Sequence, residues 1–229
     1  QLLLHLVCLN RATGKILWNS SVTPKLPEQA SIRDNHGYAS STPCVDSERV
    51  YAYFGKSGMA AFDHSGKQLW RTELGSRTNG FGSGASPILF GDFVIVNASI
   101  EIDCIVALDR KTGAEKWRAK GFREAFNTPT LVPLKTGKTE LVVGMPAKVV
   151  GLDPSTGEQL WSCANNITWY IVPSIVYHGD FLWSFGGSSG TTAVGLRAGG
   201  RGDVTKTHRL WTSTKGRSEE HTSELQSPY

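Results

Sequence analysis

Cysteine and histidine are the side chains that most readily do chemistry, and in this chain of 229 residues neither is arranged for it. Cys8, Cys44, Cys104 and Cys163 show no Cys-x-x-Cys spacing, and each sits in or beside an apolar run that reads as a strand. Such thiols are expected to be free, buried and small rather than paired or metal-bound. His5, His36, His64, His178 and His208 lie far apart, mostly at turn signals, with no i, i+4 pair on a helix. They read as solvated turn residues, and no metal site is expected. Asp and Glu fall mostly in turns, and no acid–base pair can be assembled from them, so no catalytic residue is assigned.

Two kinds of short motif carry little weight. Arg201-Gly202-Asp203 spells an integrin-type adhesion tripeptide in a glycine-rich stretch that would display it as a loop, but tripeptides of this kind arise by chance. Asn19-Ser-Ser, Asn97-Ala-Ser and Asn166-Ile-Thr fit the glycosylation acceptor pattern and read here as turn and strand residues.

Recognition chemistry remains. Four segments, "DNHGYASST", "SRTNGFGSGAS", "GFREAFNT" and "NNITWYIV", bring His36, Tyr38, Arg77, Asn79, Ser83, Arg123, Asn127, Trp169 and Tyr170 toward one rim if the segments are equivalent loops. Aromatic rings beside arginines and amides can stack on and hydrogen-bond a planar or polar ligand, or a peptide strand. The competing reading is that these side chains pack their own loops.

A repeat makes the loops equivalent. "CLNRATGKILW" ends at Trp18, "AFDHSGKQLW" at Trp70, "ALDRKTGAEKW" at Trp117 and "GLDPSTGEQLW" at Trp161, and a degenerate fifth copy, "GLRAGGRGDVTKTHRLW", ends at Trp211. A unit of ~45–50 residues has the length of a four-stranded propeller blade. The third copy reads as four strands, "GASPILF", "DFVIVNAS", "CIVALD" and "EKWRAK". In its last turn Asp109 can accept backbone hydrogen bonds and Gly113 can take the left-handed conformation; Asp63 with Gly66 and Asp153 with Gly157 repeat the arrangement. Trp18, Trp70, Trp117, Trp161 and Trp211 are assigned to packing between sheets. Pro43, Pro87, Pro129 and Pro173 recur in the first strand of each unit, which marks that strand as an edge.

The pattern Ala-x-Asp-x-x-Thr-Gly-x-x-x-Trp, met in full by Ala107, Asp109, Thr112, Gly113 and Trp117, resembles the tryptophan-docking repeat of the PQQ (pyrroloquinoline-quinone)-like β-propellers. The other copies depart from it: Asn10 replaces the aspartate in the first, Gly151 replaces the alanine in the fourth, and an insertion lengthens the fifth. "GSGASPILFGDFVIVNAS" and "RAGGRGDVTKTHRLW" further resemble PQQ-binding-like repeat proteins of environmental bacteria.

The resemblance implies an all-β fold of four-stranded antiparallel blades, with about four and a half of a complete ring of seven or eight. The expected organisation is a half blade over 1–22, blades over 38–75, 82–120, 125–163 and 170–213, and one incomplete domain over 1–216. "RSEEHTSELQS" breaks the pattern and resembles a translated sequencing adapter, so 217–229 is expected to be a non-biological tail.

Composition fits this fold: aromatics at 10%, 25 glycines and only 19% charged residues suit an all-β protein. No apolar run reaches the roughly 18–20 residues of a membrane span, and "LLLHLVCL" lacks a preceding basic segment and runs straight into a turn. The net charge of +4 is scattered rather than striped, which gives nucleic-acid binding no support.

Three functions stay open. The first is a non-catalytic binding or scaffolding propeller of the bacterial cell envelope, similar to outer-membrane-assembly lipoproteins, which needs no cofactor. It would act in the periplasm, at the envelope or after secretion, on a protein or peptide partner at its loop face, and its open blade edges could self-associate. The second is a PQQ- and calcium-dependent dehydrogenase, for which the resemblance implies a carboxylate base, a calcium-ligating set and adjacent cysteines; none of these matches here. The third is a repeat or sensor region of a larger multidomain protein.

Overall fold

The computed structural model describes residues 3–27, 40–187 and 190–214. His36, Tyr38 and the expected tail over 217–229 lie outside them. The chain falls into two compact units, Gln1–Arg118 and Ala119–Tyr229.

The first unit begins with a hairpin of β1 (Leu4–Leu9) and β2 (Ile16–Val22). A sheet of β3 (Cys44–Val45), β4 (Arg49–Tyr53), β5 (Met59–Asp63) and β6 (Gln68–Thr72) follows, with its strands in chain order. The third sheet consists of β7 (Ile88–Phe90), β8 (Phe93–Ala98), β9 (Cys104–Asp109) and β10 (Glu115–Lys120), and a one-turn helix α1 (Ser99–Ile102) joins β8 to β9.

Within the first unit the hairpin packs on the second sheet, and the second sheet on the third. Leu4, Leu6 and Val22 pack with Trp18 against Ala52, Ala60 and Phe62. Tyr51, Met59 and Ala61 pack with Trp70 against Val94, Val96, Val106 and Leu108. Branched and aromatic side chains at every second position produce this layering, because alternate residues of a strand point to opposite faces.

The outer hairpins share one turn chemistry. Asp109 Oδ1 accepts the N–H groups of Lys111 and Thr112 at 2.9 Å each, and Gly113, at φ +74°, returns its N–H to the Asp109 carbonyl at 2.8 Å. Asp63 accepts from Ser65 and Lys67, and Asp153 from Ser155. Asn10 performs the same function in the first hairpin, accepting from Ala12 and Thr13 at 3.0 Å, because the acceptor oxygen and not the charge closes the turn.

The indoles of β2 and β6 reach the turn of the following sheet. Trp18 Nε1 donates to the His64 carbonyl and Trp70 Nε1 to the Arg110 carbonyl, each at 2.9 Å. Two residues on, the hydroxyls of Ser20 and Thr72 donate to the carbonyls of Gly66 and Gly113. A Cβ on Gly113 would come within 2.6 Å of the Trp70 ring, so only glycine lets the indole lie on the turn.

The second unit contains a sheet of β11 (Thr130–Pro133), β12 (Thr139–Met145), β13 (Lys148–Leu152) and β14 (Gln159–Ala164), and another of β15 (Val176–His178), β16 (Phe181–Phe185), β17 (Ala193–Arg197) and, following an insertion, β19 (Arg209–Ser213). Val142, Val149 and Trp161 of the first pack against Leu182, Val194 and Leu196 of the second.

Two expectations need correction. The repeated prolines stand before the first strands, not in them: Pro43, Pro87 and Pro129 directly precede β3, β7 and β11, and Pro173 lies three residues ahead of β15. These strands are nonetheless the edges of their sheets. A residue without an N–H fits ahead of the first ladder bond.

The insertion is no displayed loop. It folds as β18 (Gly202–Asp203), paired in parallel with Trp161 and Ser162 of β14, followed by a helical turn α2 (Thr205–His208). Val204 is buried under it, and Thr205 Oγ1 accepts the Ala164 N–H at 2.9 Å. The adhesion-like tripeptide is held in a strand that covers the edge of β14.

Candidate functional site

In the first unit, Arg77 and Ser83 ride on the segment between β6 and β7, and both attach to α1. The Arg77 guanidinium pairs with Asp103 at 2.6 Å, and its Nε donates to the Glu101 carbonyl at 3.3 Å. The Ser83 hydroxyl donates to the Glu101 carboxylate. Asn79 builds a turn within this segment, its Oδ1 accepting from the Phe81 N–H at 2.9 Å and its carbonyl from the Gly82 N–H at 2.8 Å.

Glu101 itself is buried, and the nearby Arg77 charge only weakly favours its ionised form. Glu101 Oε2 and the Tyr53 hydroxyl, both shielded from solvent, interact with each other. Burial pushes the Glu101 carboxyl above the usual range, and the Ser83 and Tyr53 hydroxyls pull it partly back. Burial also raises the Tyr53 phenol well above its ordinary value. Gly55 makes this packing possible, since a Cβ there would lie 2.9 Å from Ser83 Oγ and 3.3 Å from Glu101 Oε1.

In the second unit, Asn127 is fully engaged with backbone. Its Nδ2 donates to the carbonyls of Gly144 at 2.6 Å and Ile171 at 3.2 Å, and its Oδ1 accepts the Gly144 N–H at 3.3 Å. Tyr170 meets Phe126 edge-on with centroids 5.2 Å apart, and Trp169 stands against Tyr170 at 5.1 Å. Trp169 is 55% exposed, and Arg123 is exposed nearby in sequence to Phe126. The structure therefore brings Arg77 together with Ser83, and Asn127 with Tyr170 and Trp169.

Glu101, Tyr53 and Phe126 were not among the sequence candidates. The interruption of the apolar run by "SIEID" was the available signal for Glu101, because a carboxylate between two buried strands needs a helical turn or a partner to hold it.

Among the described residues no three His, Cys, Asp or Glu side chains converge on one point. None of the four cysteines is in a disulfide. The described residues do not assemble the donor set that a quinone–calcium group would need.

The profile of the outer membrane protein assembly factor BamB matches residues 5–120 and 101–173. The chain belongs to the BamB family. BamB from Moraxella catarrhalis is similar in fold, with a TM-score of 0.62 and 18% identity over 93% of this chain. A europium-containing methanol dehydrogenase follows at 0.60 and 15% over 84%, and the quinohemoprotein alcohol dehydrogenase of Comamonas testosteroni at 0.51 and 14% over 83%. The chain spans 59% of that BamB, 45% of the methanol dehydrogenase and 36% of the quinohemoprotein. No curated protein matches it in sequence. At these identities the likeness establishes the fold, a PQQ-like β-propeller repeat.

Proposed function

We propose that this chain is a non-catalytic binding or scaffolding β-propeller of the bacterial cell envelope, acting as its BamB relatives do in outer membrane protein assembly. One observation carries the reading: Arg77, Ser83 and Asn127 are taken up in tying their segments to neighbouring elements, while the Trp169 indole stays exposed beside Tyr170. An ordered loop presenting an unburied aromatic suits recognition of a polypeptide, because little ordering entropy remains to oppose binding. The partner it suits is an extended segment of alternating apolar and polar residues, the pattern of an outer-membrane barrel strand.

A synthetic peptide of that pattern, titrated against the full chain and followed by tryptophan fluorescence, tests the proposal. Saturable binding that weakens at least ~10-fold in Trp169→Ala, about 1.4 kcal/mol, is the expected result. Equal binding by the variant, or none at all, would overturn it. The quinoprotein reading draws on fold likeness alone; calcium-dependent, saturable binding of pyrroloquinoline quinone in the same assay would favour it instead.

A further inference from the structure

Asn79 is followed by glycine, and no other asparagine in the chain is. The backbone nitrogen after an asparagine can attack the side-chain amide and close a five-membered ring, an approach that a side chain on the attacking residue obstructs. The segment between β6 and β7, which carries Arg77 and Ser83 to α1, thus contains a pair of residues able to react with each other.

The fold supplies what this reaction needs. Asn79 Oδ1 accepts the Phe81 N–H at 2.9 Å, which polarises the amide carbonyl and offers a donor to the oxyanion that attack on Cγ creates. The Asn79 main-chain carbonyl accepts the Gly82 N–H at 2.8 Å, closing a turn with Gly80 and Phe81 at its corners. Gly80 is exposed, no described residue accepts its N–H, and a Cβ built on it would meet nothing within 4 Å. The nucleophilic nitrogen is therefore open to a solvent base.

The other described asparagines each lack part of this arrangement. Asn10 closes a turn of the same kind, its Oδ1 accepting the Ala12 and Thr13 N–H groups at 3.0 Å, but Arg11 follows it. Asn19 is followed by Ser20, inside the β1–β2 ladder. Asn166 is exposed at a φ of +58°, but Ile167 after it is branched and completely buried, and its N–H is spent on Asn165 Oδ1 at 2.9 Å. Asn97, Asn127 and Asn165 are buried.

We propose that Asn79 is a site of spontaneous deamidation, converting to aspartate and isoaspartate through a cyclic imide with Gly80. The Gly80 nitrogen gives its proton to a solvent base and bonds to Asn79 Cγ. The tetrahedral carbon then breaks its bond to the amide nitrogen, which takes a proton from water and leaves as ammonia. Water opens the ring: attack at Cγ gives aspartate, and attack at the main-chain carbonyl carbon gives isoaspartate. One water is consumed and one ammonia released, with no oxidation. In isoaspartate the carbonyl that held the Gly82 N–H becomes a carboxylate, and the backbone lengthens by one methylene. The bond from Ser83 to Glu101 lies just beyond this turn, so the change loosens the segment where it is tied to α1. The site stands independently of the proposed function.

The full chain, warmed at pH 8 and mapped by mass spectrometry that separates isoaspartate from aspartate, tests this against a synthetic peptide of residues 76–84. Conversion at Asn79 should keep pace with the peptide and leave Asn10 and Asn166 intact. Gly80→Ala, for which the turn has room at an ordinary φ, should slow it at least ~10-fold, a barrier higher by about 1.4 kcal/mol. Asn79→Gln, whose ring would need six members, should slow it likewise and serves if Gly80→Ala loses the native circular dichroism. Converted chain, separated by ion exchange on its added negative charge, should show lower hydrogen-exchange protection at Gly82 than unconverted chain. A folded chain that converts ~10-fold or more slowly than the peptide would mean that the fold shields the site, and would overturn the proposal. Variants that convert as fast as the native chain, or unchanged protection at Gly82, would overturn it too.

Discussion

Trp161 donates its indole N–H to Glu140 Oε2 at 2.7 Å, inside its own sheet, whereas Trp70 donates to the carbonyl of Arg110 in the following one. The difference follows from the insertion. Glu140 also accepts the Gly199 N–H at 3.0 Å and meets Arg201 at 3.3 Å, so the carboxylate ties the insertion to the tryptophan beneath it.

Removing that carboxylate should be costly, because it is buried and two N–H donors depend on it. Glu140→Ala is expected to cost about 2–4 kcal/mol, and Glu140→Gln roughly half as much, since the amide oxygen can keep one acceptor bond. Urea denaturation checks both. Equal losses in the two variants would mean that packing and not hydrogen bonding sets the cost.

The glycines of the hairpin turns separate two effects. Gly14 and Gly113 share nearly the same backbone conformation, φ +70° and +74°, but only Gly113 lies under an indole. Gly14→Ala should cost about 1 kcal/mol for the left-handed backbone alone. Gly113→Ala should cost about 2–4 kcal/mol, because the Trp70 ring must also move. The midpoint difference between the two variants measures the indole contact.

Much of this architecture was legible because the repeat carries its own punctuation. An acceptor residue, a glycine and a tryptophan at nearly fixed offsets specify a hairpin and its packing face, and four such copies place the outer strands. The exceptions were harder to read. Gly151 in place of alanine looked like drift, yet a missing Cβ is what lets Trp161 lie flat on its sheet. Glu140 stands at the start of a strand, where a carboxylate normally meets water; the insertion that buries it lies about sixty residues further along the chain, outside any local pattern. Arg77, Asn79, Ser83 and Asn127 were readable as loop residues, but the atoms they bond were not.

The hairpin aspartates should set the acid limb of stability. Burial opposes the charge on Asp109, but the Thr112 N–H, Lys116, the Thr112 hydroxyl and the Lys111 N–H outweigh it and lower its carboxyl to about 2. Its folded value lies below the ordinary 3.8, so its contribution is present above that pH and is lost as pH falls toward 2. Asp109→Asn should keep the turn, as Asn10 does in the first hairpin, and flatten stability between those limits. An unchanged acid limb in urea titrations at stepped pH would contradict this.

The thiols should be quiet. Burial pushes the Cys44 thiol up to about 12, and Cys104 and Cys163 are buried. Since the thiolate is the reactive form, iodoacetamide at pH 8 should label these three slowly in the folded chain, and all four cysteines rapidly in guanidinium. Protection from alkylation in guanidinium before any reductant is added would reveal a disulfide that the structure does not contain.

Glu101 should act in the opposite sense to Asp109. Its carboxyl is raised by burial, so the folded chain holds that proton to higher pH than the unfolded chain does. The stability contributed by the neutral form is therefore complete below the unfolded value near 4.5 and is lost as pH rises through the folded value. Glu101→Gln removes the titration while keeping an acceptor for Ser83. It should match the native chain at acidic pH and exceed it in urea midpoint near pH 8, where the native chain carries a buried charge that Arg77 offsets only in part. Because the Ser83 end of the segment between β6 and β7 hangs on this carboxylate, the exchange protection factors of Gly82 to Gly84, with the intrinsic base catalysis divided out, should fall with pH in the native chain and stay level in the variant. A variant less stable than the native chain at pH 8 would mean that the charge is compensated in solution and that the hydroxyls of Ser83 and Tyr53 suffice to hold it.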